Sequence, residues 1–264
     1  MGKAARSCHT HLFPETKGRL PRSGRALHSW EKLQGGELER EPLCWLFVAL
    51  VVEALGKRRP EMGVAAWAQA DTLMREQDVE GLRWVDVVVS RPESPTAVPE
   101  VVLDFSPLER GSTTKGGPSQ GVDILDVSPR RWFARGKREH DPRARVFPFA
   151  LATYRHHFSQ VMAQYGIQTL GNAHILRHSG AVQLLQLGHQ PIGDEVHTLP
   201  EVSVAKKVKQ RWSYPRVQGR GRWLHERSLH HYSKPHLRLK NLARMTPEQQ
   251  AQARGLLMKG FSFL

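Results

Sequence analysis

An apolar run near the start of the chain limits its possible folds most strongly. Residues 43–55 read LCWLFVALVVEAL, and a core has to cover a stretch of this kind. The run is too short to cross a bilayer and contains Glu53, so it predicts a buried helix, expected over residues 38–56. Basic residues and Pro60 follow, which is typical of a helix end, and a second helix is expected over residues 61–74.

Three later segments change to the pattern of strands. WVDVVV at 84–89, EVVLDF at 100–105 and GVDILDV at 121–127 are short, rich in β-branched residues and bounded by turn residues. They predict three antiparallel strands. The connection PLERGSTTKGGPSQ is rich in Gly, Ser and Thr, so it predicts a hairpin loop that carries Lys115.

Helical spacing returns in the second half of the chain. Helices are expected over residues 149–165 and 174–187, after a basic, proline-containing loop at 130–148. Thr246 followed by Pro247 predicts the N-cap of a final helix. The fold class expected is α+β, mostly helical, with a small three-stranded antiparallel sheet.

Three parts of the chain are expected from this pattern. Residues 1–37 lack sustained periodicity and predict a flexible basic arm. Residues 38–244 form one domain in which the polar, irregular segment 188–215 is an inserted loop. Residues 245–264 form a C-terminal helix, which is a candidate for packing against another copy of the chain.

The positive charge is unevenly distributed. Of a net charge of +14, residues 201–244 contribute 12 Lys and Arg against 2 acidic residues, whereas residues 41–200 hold 17 against 18. Such an excess favours a polyanion as partner, although a solvated face or a contact with acidic lipid stays open. Cys8 and Cys44 stand in no metal-ligand spacing and predict reduced thiols inside a cell.

Two motifs in the second half carry possible chemistry. In HILRHSGA, His174 and Arg177 lie three residues apart and therefore on one face of a helix. The same H-x-x-R spacing occurs in HDPR at 140–143, so the motif alone is weak. In GRGRWLHERSLHHY, Trp223 precedes Tyr232 by nine residues.

Together these motifs resemble the tyrosine recombinases, the phage-integrase family. Upstream, ADTLMREQDVEGLRWVDV resembles the first box of that family, with Arg75, an acidic residue at Asp78 and Leu-Arg-Trp at 82–84. The segment TKGGPSQGVDI resembles the family's hairpin lysine pattern and matches it to Lys115. The resemblance spans about residues 43–240.

The resemblance implies DNA strand breakage and rejoining without a metal or cofactor. Arg75 and Arg177 would clamp the phosphate, and Tyr232 would attack it to form a 3′-phosphotyrosyl intermediate. Lys115 would protonate the leaving 5′ oxygen, and Trp223 would support the phosphate. His174 would relay a proton with Tyr232. The six expected catalytic residues are Arg75, Lys115, His174, Arg177, Trp223 and Tyr232. Asp78 would support them.

The resemblance also implies the partners. Duplex DNA is expected, with homo-oligomers on DNA and no membrane, in the compartment that holds the DNA, which is the nucleus in a eukaryote. The basic residues expected to bind DNA are Lys206, Lys207, Lys209, Arg211, Arg220 and Arg222.

Two departures from the family keep alternatives open. Arg177 and Trp223 are 46 residues apart, a longer separation than the family usually shows, and residues 1–40 are too few for the family's separate DNA-binding domain. An active recombinase or integrase is the first hypothesis. A catalytically degenerate DNA-binding remnant of a mobile-element integrase is the alternative, and a type IB topoisomerase is a third.

Overall fold

The structure is a computed structural model that describes most of the chain after residue 41. The described residues are 42–91, 94, 97–105, 120–167, 173–188, 211–224, 229 and 235–264. For residues 235–238 only the backbone is described. The predicted arm at 1–37 lies outside them.

Two helices at the start of the described chain form the centre of the core. Helix α1 covers Trp45–Arg58 and α2 covers Pro60–Asp71. Almost every side chain of both helices is buried, as the apolar run predicted. Arg59 is extended between them, and Pro60 occupies the first turn of α2, where a missing amide proton costs nothing.

A small sheet follows, as predicted. Strands β1 (Val87–Val89), β2 (Val101–Phe105) and β3 (Gln120–Asp123) pair antiparallel in chain order. The first strand is shorter than expected, because Trp84–Asp86 forms a 3-10 turn. Phe105 and Gln120 are paired, so the connection between β2 and β3 leaves and re-enters the sheet at one end.

Helix α4 corrects the loop expected at 130–148. It covers Val127–Glu139 and buries Phe133, Ala134 and Gly136, while four of its six charged side chains are exposed. A Cβ on Gly136 would overlap the ring of Trp84, so the glycine allows the helix to approach that ring closely. The many charged residues of this segment are typical of a loop. They are spaced around one side of a helix, however, so the other side is apolar and can pack in the core.

The remaining helices lie close to their predicted places or were not predicted at all. Helices α5 (Leu151–Gln164) and α6 (His174–Gln186) confirm the expected helices to within two residues. The short helices α3 (Glu76–Gly81) and α7 (Tyr214–Gly221) were not predicted. Helix α8 covers Pro235–Ala243.

The inserted loop expected at 188–215 is too long at its C-terminal end, because Tyr214 and Pro215 already belong to α7. Its residues 189–210 lie outside the described residues.

The C-terminal segment packs onto its own chain. Helix α9 (Pro247–Lys259) begins at the predicted N-cap, where the Thr246 side chain accepts a hydrogen bond from the Gln249 amide. It packs on α1, and the Phe261 ring lies 5.3 Å from that of Trp67. Ser262 Oγ donates to the buried carboxylate of Glu53 at 2.6 Å. In this structure, therefore, the segment packs on its own chain, and its packing against another copy stays a prediction.

The described residues thus form a mostly helical α+β fold with a three-stranded antiparallel sheet, which confirms the predicted class. Within that part of the chain, none of the helices combines the length and apolar character needed to traverse a membrane.

The packing of the C-terminal tail predicts a stability difference. Phe261→Ala should lower the free energy of unfolding by about 3–5 kcal/mol, because it opens a cavity beside Trp67. Met258→Ala is the control, since this side chain is 54% exposed and should change the free energy by less than about 0.5 kcal/mol. Urea unfolding measures both values, and equal effects of the two variants would contradict the docking of the tail.

Candidate functional site

Three segments that are distant in the sequence meet around arginine side chains. Arg75 precedes α3, Arg177 lies in α6, and Arg222 ends α7. The guanidinium of Arg177 donates to the main-chain oxygens of Leu73 and Gly221. Arg75 Nη2 donates to the main-chain oxygen of Arg222 at 3.4 Å. These bonds join the chain before α3, the first turn of α6 and the end of α7.

Close helix packing places Arg177 at this junction. Gly180 lies one turn further along α6, and a Cβ there would overlap the carbonyl oxygen of Ala70 in α2. Leu73, directly after α2, has a left-handed backbone with φ of 55°, as does Arg222. Non-glycine residues adopt this conformation at a cost of about 1–3 kcal/mol, and such residues cluster at functional sites. Leu73 and Arg222 lie on either side of the Arg177 guanidinium, which bonds to the main-chain oxygens of Leu73 and Gly221.

Trp223 lies directly against Arg177. The centroid of its ring is 4.2 Å from Arg177 Cζ, which is a cation–π contact. Gly221 makes this possible, since a Cβ there would overlap the Trp223 ring. Two residues that the sequence analysis took from separate motifs are thus neighbours in space.

Asp78 connects two of the arginines. Its Oδ2 accepts a hydrogen bond from the Arg75 amide at 2.7 Å and one from Arg222 Nη2 at 2.6 Å. The Arg222 guanidinium also stacks on Phe105, with 4.1 Å between Cζ and the ring centroid. Nε and Nη1 of Arg222 are buried without a hydrogen-bond partner in the described structure. Unused buried donors of this kind are costly and suit an anionic ligand.

The electrostatics of Arg222 reflect this crowding of positive charge. Burial lowers the pKa of Arg222, the carboxylate of Asp78 opposes that shift, and the nearby charge of Arg75 lowers the pKa further. The network holds three guanidinium groups and the carboxylate of Asp78, so its formal charge is positive. An anion at this place would relieve the repulsion between the arginines.

A cavity of about 560 Å³ opens beside these residues. Its lining includes Gln120 at the start of β3, Gln218 in α7, and Arg222 and Trp223. The cavity therefore lies at the end of the sheet from which the β2–β3 connection departs.

His174 is tied to the same region through a buried carboxylate. Its main-chain amide donates to Glu76 Oε1 at 2.7 Å, and its ring centroid lies 4.6 Å from that of His178. Glu76 Oε2 also forms an ion pair with Arg155 at 2.6 Å. Glu76 thus joins α3, α5 and α6. Its role was not predicted, and its position next to Arg75 was the one available signal.

Several predicted site residues lie outside the described residues, namely Lys115, Lys206, Lys207, Lys209 and Tyr232. Leu229, three residues before Tyr232, is described and is buried in a cluster with Leu73 and Val217. The chain therefore comes back, shortly before the expected nucleophile, to the site formed by Arg75, Asp78, Arg177, Arg222 and Trp223, which we call the arginine junction.

The placement of Arg220 corrects the prediction that it contacts DNA. Its side chain is 4% exposed, with Nη2 at 3.2 Å from Asp71 Oδ1 and Nη1 at 2.8 Å from Asp123 Oδ1. Nε donates to the main-chain oxygen of Asp71. This side chain faces inward because α7 turns that side toward α2 and β3. Arg222 is also buried and belongs to the arginine junction, while Arg211 is exposed.

Arg177 also differs from its predicted role. It is 2% exposed, and its guanidinium holds two main-chain carbonyls. In this arrangement it positions the segments around Arg75 and Trp223, whereas a direct clamp on phosphate had been expected.

Comparisons with known proteins do not identify a family or a function for this chain. No protein-family model matches the sequence, and neither a curated protein nor a solved structure shows a significant similarity to it. In the part of the chain that the structure covers, no group of three or more His, Cys, Asp or Glu is arranged to hold a metal ion.

The inward placement of Arg220 predicts a loss of stability on its removal. Arg220→Ala should lower the free energy of unfolding by about 3–5 kcal/mol, because it leaves the buried carboxylate of Asp71 unpaired. Arg211→Ala, at an exposed position, should change it by less than about 0.5 kcal/mol. Urea unfolding separates the two. A stable Arg220→Ala variant with weakened DNA binding would restore the original prediction.

Proposed function

We propose that this chain breaks and rejoins DNA strands through a covalent bond between Tyr232 and a 3′ phosphate. The main support is that Arg75, Asp78, Arg177 and Trp223, selected by their spacing in the sequence, form one contact network in space. The contact between Arg75 and Asp78 is local to the start of α3, so the support comes from the contacts that join distant parts of the sequence, from Arg75 to Arg222 and from Arg177 to Trp223.

The proposed reaction needs positive charge and a nucleophile, and no metal. The phenol oxygen of Tyr232 forms a bond to phosphorus while the bond to the 5′ oxygen breaks, so the tyrosine loses a proton and the 5′ oxygen gains one. The energy of the broken ester stays in the phosphotyrosyl bond, and another 5′ hydroxyl can reverse the step. Fixed guanidinium groups stabilise the extra negative charge on the phosphoryl oxygens.

Each described residue has a place in this proposal. Arg75 is half-buried and closest to solvent among the three arginines, so it would meet the phosphate first. Arg222 supplies the unused donors beside it, and Arg177 with Trp223 holds the loops in position. Lys115 belongs to the connection between Phe105 and Gln120, which begins and ends beside the cavity, and would act as the acid. Assembly of several copies on DNA remains part of the proposal.

One observation favours the degenerate DNA-binding module as a second candidate. The Arg177 guanidinium is enclosed and bonded to main-chain carbonyls, where the family resemblance implies a direct contact with phosphate. A protein with this arrangement would bind DNA backbone and not cut it.

A covalent-trapping experiment distinguishes the two candidates. The chain is incubated in EDTA with a pool of nicked suicide duplexes of varied sequence, and adducts that resist denaturant are measured. The wild-type chain should form an adduct and Tyr232→Phe should not, since only the phenol oxygen can bond to phosphorus.

Tyr214→Phe is the matched control, because Tyr214 lies in α7 next to the site and is part-exposed. Tyr154 is a poor nucleophile by comparison, since complete burial and the charge of Glu76 both raise its pKa. Loss of the adduct with Tyr214→Phe alone would move the nucleophile to that residue. DNA binding without any adduct would favour the degenerate module.

A further inference from the structure

Helix α4 presents a row of arginines to solvent. Arg131, Arg135 and Arg138 follow the i, i+4, i+7 spacing of one helix face, and all three are exposed. The opposite side is held in the core by Phe133, which is fully buried. The row spans roughly 10 Å along the helix axis. It lies in a part of the sequence whose overall charge is nearly balanced.

The segment after α4 carries further exposed arginines. Arg143 and Arg145 are exposed, and Arg145 pairs in an isolated bridge with Arg83, which is exposed as well. The Trp84 amide donates to the Ala144 carbonyl at 3.1 Å, which fixes the segment in place. We call these six residues the arginine face: Arg83, Arg131, Arg135, Arg138, Arg143 and Arg145.

Little negative charge balances the arginine face. Glu139 and Asp141 are its exposed acidic neighbours in sequence, and Asp141 Oδ1 accepts a hydrogen bond from the Arg143 amide at 2.6 Å. Five of the six arginines take part in none of the ion pairs found in the described structure. These five are Arg83, Arg135, Arg138, Arg143 and Arg145. Their mutual repulsion favours a polyanion at this surface.

We propose that the arginine face binds the sugar–phosphate backbone of duplex DNA, at a surface separate from the arginine junction. The choice of DNA rests on the proposed function. Guanidinium groups match phosphate oxygens as bidentate donors. The lysine of α4, Lys137, is half-buried and donates to the main-chain oxygen of Trp84, so the exposed basic residues of this helix are arginines.

Two features of the face favour a duplex over other polyanions. The described aromatic rings next to the face are engaged with other rings. Trp84 is buried, the Trp132 ring stacks at 6.2 Å from that of Phe147, and the exposed His140 ring stacks at 4.9 Å from that of Trp84, so they leave little surface for stacking with single-stranded bases. The apolar side of α4 lies in the core, so the helix has no apolar face to insert into a lipid surface.

The salt dependence of DNA binding tests this proposal. Affinity for a labelled duplex of arbitrary sequence is measured by fluorescence anisotropy over a range of salt concentrations. The double variant R135A/R138A should reduce the slope of log K against log salt by about 1.8, since each lost phosphate contact removes about 0.9. The control R254A/K259A removes the same charge from exposed positions of α9 and should leave the slope unchanged.

Each other outcome has a definite meaning. Equal slopes for R135A/R138A and R254A/K259A, or an unchanged slope for the first, would overturn the proposal. Loss of binding to phosphatidylserine vesicles with duplex binding intact would also overturn it. Thermal unfolding checks that both variants fold. The trapping experiment gives an independent result. A reduced slope for R135A/R138A without a Tyr232 adduct supports DNA binding by the arginine face and contradicts the proposed function. A Tyr232 adduct with an unchanged slope supports the proposed function and contradicts DNA binding by the arginine face.

Discussion

The candidate site depends on one buried guanidinium, that of Arg177. It satisfies the carbonyls of Leu73, in the turn after α2, and of Gly221, at the C-terminal end of α7, where helix carbonyls have no partner within the helix. Its face also supports the ring of Trp223. Because one rigid side chain makes all three contacts, the turn before α3 and the turn after α7 hold fixed positions relative to each other. The left-handed backbone of Leu73 and Arg222 is maintained by these contacts.

Other charges inside the molecule act in a similar way. The Arg220 side chain links α7 to Asp71 at the end of α2 and to Asp123 in β3. The carboxylate of Glu53 in α1 accepts hydrogen bonds from the Ser262 amide and hydroxyl in the C-terminal tail. A buried charge is tolerated only with such partners, so each one specifies which elements come together. Part of the basic composition at residues 201–244 is therefore used inside the fold.

Positive charge consequently occurs in two physical settings. At the arginine junction it is partly shielded from water, where interactions with an anion are strong and depend on fixed geometry. On the arginine face it is in water, where attraction is long-ranged, tolerant of sequence and weakened by salt. The proposed function would use both settings, since the arginine junction alone would give little affinity for DNA.

Much of the fold could be predicted from the sequence. The apolar run predicted α1, the β-branched segments predicted the sheet, and Thr246 predicted the start of α9, because side-chain periodicity and capping are local properties. The short helices α3 and α7 were missed, since long-range contacts stabilise them more than their own sequences do. Helix α4 was missed because its charged face outweighed its apolar side in composition.

The candidate site shows the same division. The family resemblance selected Arg75, Asp78, Arg177 and Trp223, and the structure joins these four in one network through the main-chain oxygens of Gly221 and Arg222. The burial of Arg220 had no sequence signal. By itself the sequence determined which segments are helix or strand and which residues carry suitable chemistry. The tertiary structure decided which charges face inward and which face solvent, because the packing of distant segments, and not the local pattern, sets the direction of each charged face.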